Sequence, residues 1–138
     1  MLKDALGSYR GSLEDLDRAV REAPQNGEVY YDRANMKSRN GDNAGAAGDY
    51  TIALELGLRM RERFLALGNR GMARAVLGDV EGALADFTEI VDASPKNRSL
   101  LRTALLNRMV LRKRTGDYEG ADLDYRRALS ITITKKGE

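Results

Sequence analysis

Residues 116–128 read GDYEGADLDYRRA, and the same pattern occurs three more times along the chain. Residues 78–90 read GDVEGALADFTEI, residues 41–53 read GDNAGAAGDYTIA and residues 7–19 read GSYRGSLEDLDRA. The leading glycines are spaced by 34, 37 and 38 residues. Self-similarity at such a period predicts a stack of similar units, each packed against its neighbours.

The residues that recur within each copy fit closely packed helices. A small residue follows each leading glycine at a fixed distance: Ser12, Ala46, Ala83 and Ala121. Four positions later, at what we call the aromatic position, each copy has a large residue: Leu16, Tyr50, Phe87 and Tyr125. Small residues let two helices approach, and the large one fills the space beside them. The pattern predicts an all-α fold with helices at about 9–22, 28–40, 44–56, 61–77, 80–92, 99–115 and 118–132.

Composition excludes several kinds of functional site. The chain has neither cysteine nor histidine, which removes the commonest zinc ligands, the usual general base and thiolate nucleophiles. Carboxylate pairs such as Glu14 with Asp15 fall on helix positions that we expect to be exposed or ion-paired. We therefore expect a protein that is not an enzyme, with no catalytic residue, no bound metal ion and no cofactor. With no apolar run of membrane-spanning length and no signal peptide, the sequence predicts a cytoplasmic protein without membrane insertion.

The period and the packing residues resemble the tetratricopeptide repeat (TPR) family, with a repeat of about 34 residues, over nearly the whole chain. The resemblance, to a bacterial-type fragment, implies a right-handed α-solenoid of antiparallel helix hairpins in one domain, residues 1–138. A partial repeat covers residues 1–26, mainly its second helix, and full repeats cover residues 27–60, 64–97 and 102–135. Residues 2–6 are expected to form at most one turn, so the chain looks like a piece of a longer array.

Proline marks the end of two of the repeats. Pro24 and Pro95 stand where the family often has proline, but the second copy has Leu58 there. Because proline cannot continue a helix, its absence predicts that the helix of the second copy runs on, or turns with little break, through Gly57.

Two charged positions depart from the family pattern. At one position, which we call the arginine position, the family has a large apolar residue but this chain has arginine: Arg33, Arg70 and Arg108. Aspartate recurs at the aspartate position: Asp15, Asp49, Asp86 and Asp124. We predict partly buried structural ion pairs between these two sets. The sequence leaves open pairing within a repeat (Arg33 with Asp49) and between repeats (Arg33 with Asp15).

Glycine also recurs inside the second helix of every copy, where it costs about 1 kcal/mol relative to alanine. These residues are Gly11, Gly45, Gly82 and Gly120. Close approach of a neighbouring backbone or a recent duplication would each explain them.

The resemblance implies a concave groove lined by the first helix of each repeat, with an apolar middle and polar or basic ends. We expect the groove to bind a peptide or a helix of a partner protein. Its predicted lining is Tyr31, Asn35, Ser38, Arg39, Leu65, Asn69, Met72, Val76, Leu106, Asn107, Val110, Lys113 and Arg114. The family's carboxylate clamp is not expected, because Tyr31, Thr103 and Asn107 stand where it needs basic residues.

Two other functions remain open. The chain could assemble with itself through open helix faces at its ends, including the run Ile131 to Thr134, as a homo-oligomer. Nucleic-acid binding is less expected. Its only support is two basic clusters without interleaved aromatic residues, Arg59, Arg61 and Arg63, and Arg112, Lys113 and Arg114.

Overall fold

The computed structural model describes the backbone of residues 2–132 and the side chains of residues 7–132. This part of the chain contains seven helices and no strand. The helices are α1 (Leu2–Glu22), α2 (Gly27–Arg39), α3 (Asn43–Leu56), α4 (Met60–Val76), α5 (Val80–Ala93), α6 (Arg98–Arg114) and α7 (Tyr118–Ser130). Each helix packs against the next, and α4 also contacts α2 and α6. The first helices of the hairpins, α2, α4 and α6, therefore share one face of the stack.

Each hairpin turns at the glycine-aspartate pair that leads the repeated pattern. In the α4–α5 turn Gly78 has a φ of 88°, a backbone conformation that favours glycine. The Asp79 side chain then caps α5 by accepting a hydrogen bond of 2.9 Å from the N–H of Gly82. Asp42 and Asp117 cap α3 and α7 in the same way.

The capping aspartate also lies close to the glycine inside α3, α5 and α7. A Cβ added to Gly82 would collide with the carboxylate of Asp79, and the same holds in the other two capped turns. The close neighbour in these three turns is thus a side chain of the same turn, and not the neighbouring backbone that was one of our two explanations. At Gly11, where Ser8 replaces the aspartate, a Cβ would meet nothing within 4 Å.

The predicted start of the first helix is wrong. We expected at most one turn before Gly7 and a helix from about residue 9, but α1 runs unbroken from Leu2 to Glu22. Gly7 lies within this helix, whereas the three other leading glycines have positive φ. The aspartate that caps the next helix in the other copies is missing after Gly7, and a continuous helix satisfies the backbone N–H groups instead.

Of the two outcomes predicted for the helix of the second copy, that it runs on is wrong, whereas a turn with little break through Gly57 is observed. The helix α3 ends at Leu56, and Gly57 takes a φ of 107° that a helix cannot contain. Residues 57–59 then connect to α4. The carbonyl oxygens of Gly57 and Ala53 lie so close to Gly27 that a Cβ there would clash. Gly57 thus ends α3 without a proline, and the turn packs closely against the start of α2.

The core is built from the small and aromatic positions of the repeats. Ala46 and Ala83 are fully buried, as is Tyr50, and Phe87 is 2% exposed. Phe87 belongs to the larger core cluster, which joins α4, α5, α6 and α7, while Tyr50 belongs to a smaller one between α2, α3 and α4. The equivalent Tyr125 is 45% exposed, because no following helix covers it in the described part of the chain.

Two glycines of α4 should respond in opposite ways to alanine substitution. A Cβ at Gly71 would lie 2.9 Å from the buried ring of Phe87, whereas at Gly68 the nearest atom is Ile90 Cδ1 at 3.7 Å, an ordinary contact. Alanine gains about 1 kcal/mol of helix propensity, but overpacking costs about 1–3 kcal/mol. We expect Gly68→Ala to stabilise the fold and Gly71→Ala to destabilise it, measured by urea unfolding. Equal effects of the two substitutions would contradict this packing.

Candidate functional site

Arginine and aspartate pair within each hairpin. The guanidinium of Arg70 donates to both carboxylate oxygens of Asp86, at 3.0 and 2.7 Å, which is a two-hydrogen-bond pair. Arg33 binds Asp49 and Arg108 binds Asp124 in the same way. Each aspartate also binds a second basic residue one helical turn further along the first helix, which sequence reasoning missed: Lys37, Arg74 and Arg112.

The same arginines reach the preceding hairpin, so the network also couples neighbouring repeats. The remaining Nη1 of each arginine donates to a residue of the preceding second helix, at what we call the contact position. These acceptors are Asp17, Thr51 and Thr88, at 3.0, 3.1 and 3.3 Å. Each arginine therefore joins three helices. Pairing within a repeat and pairing between repeats, which the sequence left open as alternatives, both occur. The partner in the preceding repeat is the residue at the contact position, not the one at the aspartate position.

Asp15 lies outside this network. Its side chain is exposed, and the acidic partner of Arg33 on α1 is Asp17, two residues further on. The hydrogen bond to Asp49 raises the pKa of Arg33 above its usual value. Burial opposes the ionisation of Asp49, but hydrogen bonds from Arg33 and Lys37 outweigh it and lower the pKa of this carboxyl. Both groups are thus held charged, as structural ions.

The face formed by α2, α4 and α6 contains two adjoining cavities that share Leu65 and Asn69. We call the first the apolar cavity; it has a volume of about 300 Å³ and lies between α4 and α6. Its lining is Leu65, Gly68, Asn69, Met72, Phe87, Ile90, Asn97, Ser99, Leu100, Thr103, Ala104 and Asn107. Phe87 and Ile90 of α5 form its floor. An apolar side chain of a ligand would be well accommodated here.

The second cavity, of about 370 Å³, is polar and lies between α2 and α4. Its lining is Tyr31, Asn35, Ser38, Arg39, Tyr50, Leu65 and Asn69. The hydroxyl of Tyr50 donates to Asn35 Oδ1. Burial raises the pKa of Tyr50, although hydrogen bonding with Asn69 and Ser38 acts in the opposite direction. These groups can offer both donors and acceptors to the backbone of a peptide.

The structure divides the predicted groove residues into two groups. Those that line the two cavities are Tyr31, Asn35, Ser38, Arg39, Leu65, Asn69, Met72 and Asn107. Those that lie on the same helices but outside these cavities are Val76, Leu106, Val110, Lys113 and Arg114. In this outer group Val76 is 72% and Val110 48% exposed.

Sequence reasoning missed the floor and far wall of the apolar cavity. Phe87 and Ile90 belong to a second helix, and Leu100 and Ala104 lie on the side of α6 that faces α4. One signal was present in the sequence. Gly68 stands where the second and fourth copies have Tyr31 and Leu106, so the third copy lacks a large side chain there.

Comparison with known proteins places this fold in a family. The family model of the tetratricopeptide repeat matches residues 31–98. Human tetratricopeptide repeat protein 36 is 31% identical over 132 residues, which covers 88% of this chain and 70% of that protein. The chain belongs to the TPR family. TPR repeats are generally protein–protein interaction modules rather than catalytic domains.

Two other relatives match over a small part of their own length. A UDP-N-acetylglucosamine–peptide N-acetylglucosaminyltransferase of Giardia intestinalis is 28% identical over 120 residues, which is 87% of this chain but 8% of that enzyme. The FK506-binding protein-like protein of mouse is 56% identical over 34 residues, or 25% of this chain and 10% of that protein. The shared segment is thus a minor part of both relatives.

A solved structure supports the architecture. The crystal structure of MamA protein superposes with a TM-score of 0.75 at 16% identity, covering 91% of this chain and 64% of that one. At this identity the likeness concerns the TPR fold alone. Within the described residues no helix is long and apolar enough to cross a bilayer, and no group of three or more acidic side chains is placed to hold a metal ion.

Proposed function

We propose that this TPR chain is a non-enzymatic scaffold whose α2–α4–α6 face binds a peptide or helix of a partner protein. The observation that carries the proposal is an exposed apolar strip beside a cavity that can take a side chain. Met72 is 54% exposed, Val76 is 72% exposed and Val110 is 48% exposed. Water-exposed apolar side chains that adjoin an apolar cavity gain free energy when a partner covers them.

The test uses partners captured from native lysate, identified and then purified for affinity measurement by calorimetry. Met72→Glu combined with Val110→Glu puts two charges on the strip, which would have to lose their water in a complex. We expect this variant to bind at least about ten-fold more weakly, since a loss of 1.4 kcal/mol already has that effect. Circular dichroism should show that it remains helical.

A matched control changes two equally exposed apolar residues elsewhere. Leu123 and Leu129 of α7 are 66% and 59% exposed, and replacing both with glutamate makes the same change in charge. The α7 variant should bind the partner as the unchanged chain does. If the α7 variant loses the partner and the groove variant keeps it, the proposed face is wrong.

Self-assembly through α7 is the second candidate. Tyr125 and Leu129 are exposed, whereas their equivalents in the third repeat, Phe87 and Val91, are covered by α6. Ile131, which we expected to belong to an open edge, is instead only 6% exposed and part of the core. Ile133 and Thr134 of the same run lie outside the described residues.

One charge opposes stacking of another such repeat on α7. At the contact position the earlier repeats have Asp17, Thr51 or Thr88, each of which accepts an arginine of the next hairpin. The fourth repeat has Arg126 there, paired with Asp122. An incoming arginine would meet a like charge, which disfavours assembly in this geometry. Sedimentation velocity, which measures the oligomeric state, tests this candidate. Self-assembly through α7 requires that the unchanged chain associate and that the α7 variant remain monomeric.

Nucleic-acid binding has less support than either candidate. Arg63 pairs with Glu89, and Arg112 pairs with Asp124, so the two basic clusters are partly neutralised within the fold.

A further inference from the structure

A third cavity opens at the edge of the binding face, at the amino-terminal ends of α4 and α6. It has a volume of about 1060 Å³, and we call it the edge cleft. Its lining is Met60, Arg61, Arg63, Phe64, Leu65, Glu89, Ala93, Ser94, Pro95, Lys96, Asn97 and Leu100. Leu65, Asn97 and Leu100 also line the apolar cavity. The two cavities therefore adjoin and together extend from the middle of the face to its edge. We call these two adjoining cavities the path.

A single residue keeps the inner end of this path open. Gly68 lines the apolar cavity, and a Cβ there would meet only Ile90 Cδ1, at 3.7 Å. The corresponding residues of the neighbouring repeats are Tyr31 and Leu106, whose side chains are partly buried on the same face. A side chain of that size at residue 68 would project into the apolar cavity. The absence of a side chain at Gly68 thus leaves room for one apolar side chain of a ligand.

The outer end of the path is basic. Three basic side chains, Arg61, Arg63 and Lys96, face the edge cleft together with one carboxylate, Glu89. Arg63 donates to Glu89 at 2.6 Å, which leaves Arg61 and Lys96 without an acidic partner among the described residues. Both are exposed. The edge cleft therefore carries a net positive charge where a ligand would leave the face.

The shape and charge of this path define the chemistry of its occupant. We infer that the partner segment is an acidic extended peptide, which buries one bulky apolar side chain in the apolar cavity and places carboxylates beside Arg61 and Lys96. This inference rests on the proposed function and specifies the partner of the same face. Apolar burial supplies the anchor, and the paired charges select acidic sequences over basic ones and speed association.

The experiment selects random dodecapeptides displayed on phage against the immobilised chain. Enriched peptides should share a leucine, isoleucine, methionine or phenylalanine followed within a few residues by aspartate or glutamate. The peptide enriched most is then synthesised with a fluorescein label, and its dissociation constant is measured by anisotropy. We expect Gly68→Leu to weaken its binding at least about ten-fold, because the leucine fills the anchor cavity.

The charges are tested with a second variant and a matched control. Arg61→Glu combined with Lys96→Glu should weaken binding at least about ten-fold, and added salt should reduce the difference. Arg10→Glu combined with Arg18→Glu makes the same change in charge on the exposed surface of α1. The α1 variant should bind within about two-fold of the unchanged chain.

The outcomes separate this inference from the proposed function. If Met72→Glu with Val110→Glu abolishes binding while the Gly68 and Arg61/Lys96 variants keep it, the face binds peptides but the path is wrong. Enrichment of peptides without acidic residues, or no enrichment above an empty matrix, also overturns the inference. If all three variants bind as the unchanged chain does, both the inference and the proposed face are wrong for these peptides.

Discussion

Asp86→Ala is expected to lower the free energy of unfolding by about 3–5 kcal/mol, the cost of breaking a buried ion pair by removing one partner. Asp86 is 2% exposed and accepts hydrogen bonds from Arg70 and Arg74. Without it, Arg70 loses its carboxylate at the junction of α4 and α5, and Arg74 keeps only a longer contact, of 3.8 Å, with the exposed carboxylate of Asp79. Arg70 would keep only its contact with Thr51.

Urea unfolding followed by circular dichroism measures this loss, and the sequence offers a matched control. Asp15 occupies the same place in the repeated pattern but is exposed, so Asp15→Ala should change the free energy of unfolding by less than about 0.5 kcal/mol. A double variant, Arg70→Met with Asp86→Leu, should recover at least half of the loss, because it removes Asp86 together with the guanidinium that donates two hydrogen bonds to it. Equal effects of Asp15→Ala and Asp86→Ala would show that the pair is not a buried structural element.

Phe87→Ala is expected to destabilise the fold by about 3–5 kcal/mol. The ring is 2% exposed, belongs to the larger core cluster and lies directly over the backbone of Gly71. Alanine would leave a cavity between α4, α5 and α6 that Gly71 has no side chain to fill. The floor of the apolar cavity would be lost at the same time, so peptide binding should weaken with stability.

Tyr125→Ala is the control for this prediction, because it removes an aromatic ring from the same place in the fourth repeat. Tyr125 is 45% exposed and already in contact with water. We expect it to cost less than about 1 kcal/mol in the same urea experiment. A loss as large as that of Phe87→Ala would mean that another helix or another copy of the chain covers α7 in solution.

Much of the fold could be predicted from the sequence, because the repeated pattern is local. The glycine-aspartate pairs at 78–79 and 116–117 mark the turns, and the small residues Ala83 and Ala121 mark the packed side of each second helix. The errors occurred where one of the usual local signals was absent. Without an aspartate after Gly7 the helix α1 continued, and without a proline α3 still ended at Leu56, before Gly57.

The candidate site was predicted less completely, because a cavity depends on residues of several helices. The spacing along α4 indicated that Leu65, Asn69 and Met72 share a face, and the structure brings them to one cavity. Nothing in that spacing identified Ile90 of α5 or Leu100 of α6 as its other walls. The basic edge cleft likewise brings together Arg61 and Lys96, which are far apart in the chain.

The sequence by itself determined the repeat, the all-α architecture and the positions that carry small, aromatic, basic and acidic residues, since these follow from periodicity and helix geometry. Only the tertiary structure decided what each position does. Asp86 is buried and paired while Asp15 is exposed, and Phe87 is core while Tyr125 faces water. The physical reason is that the burial of a side chain depends on which helix lies beside it. The contribution of a charge or an aromatic ring to the free energy of folding depends on that burial. Identical repeat positions therefore acquire different energies from their neighbours in the stack.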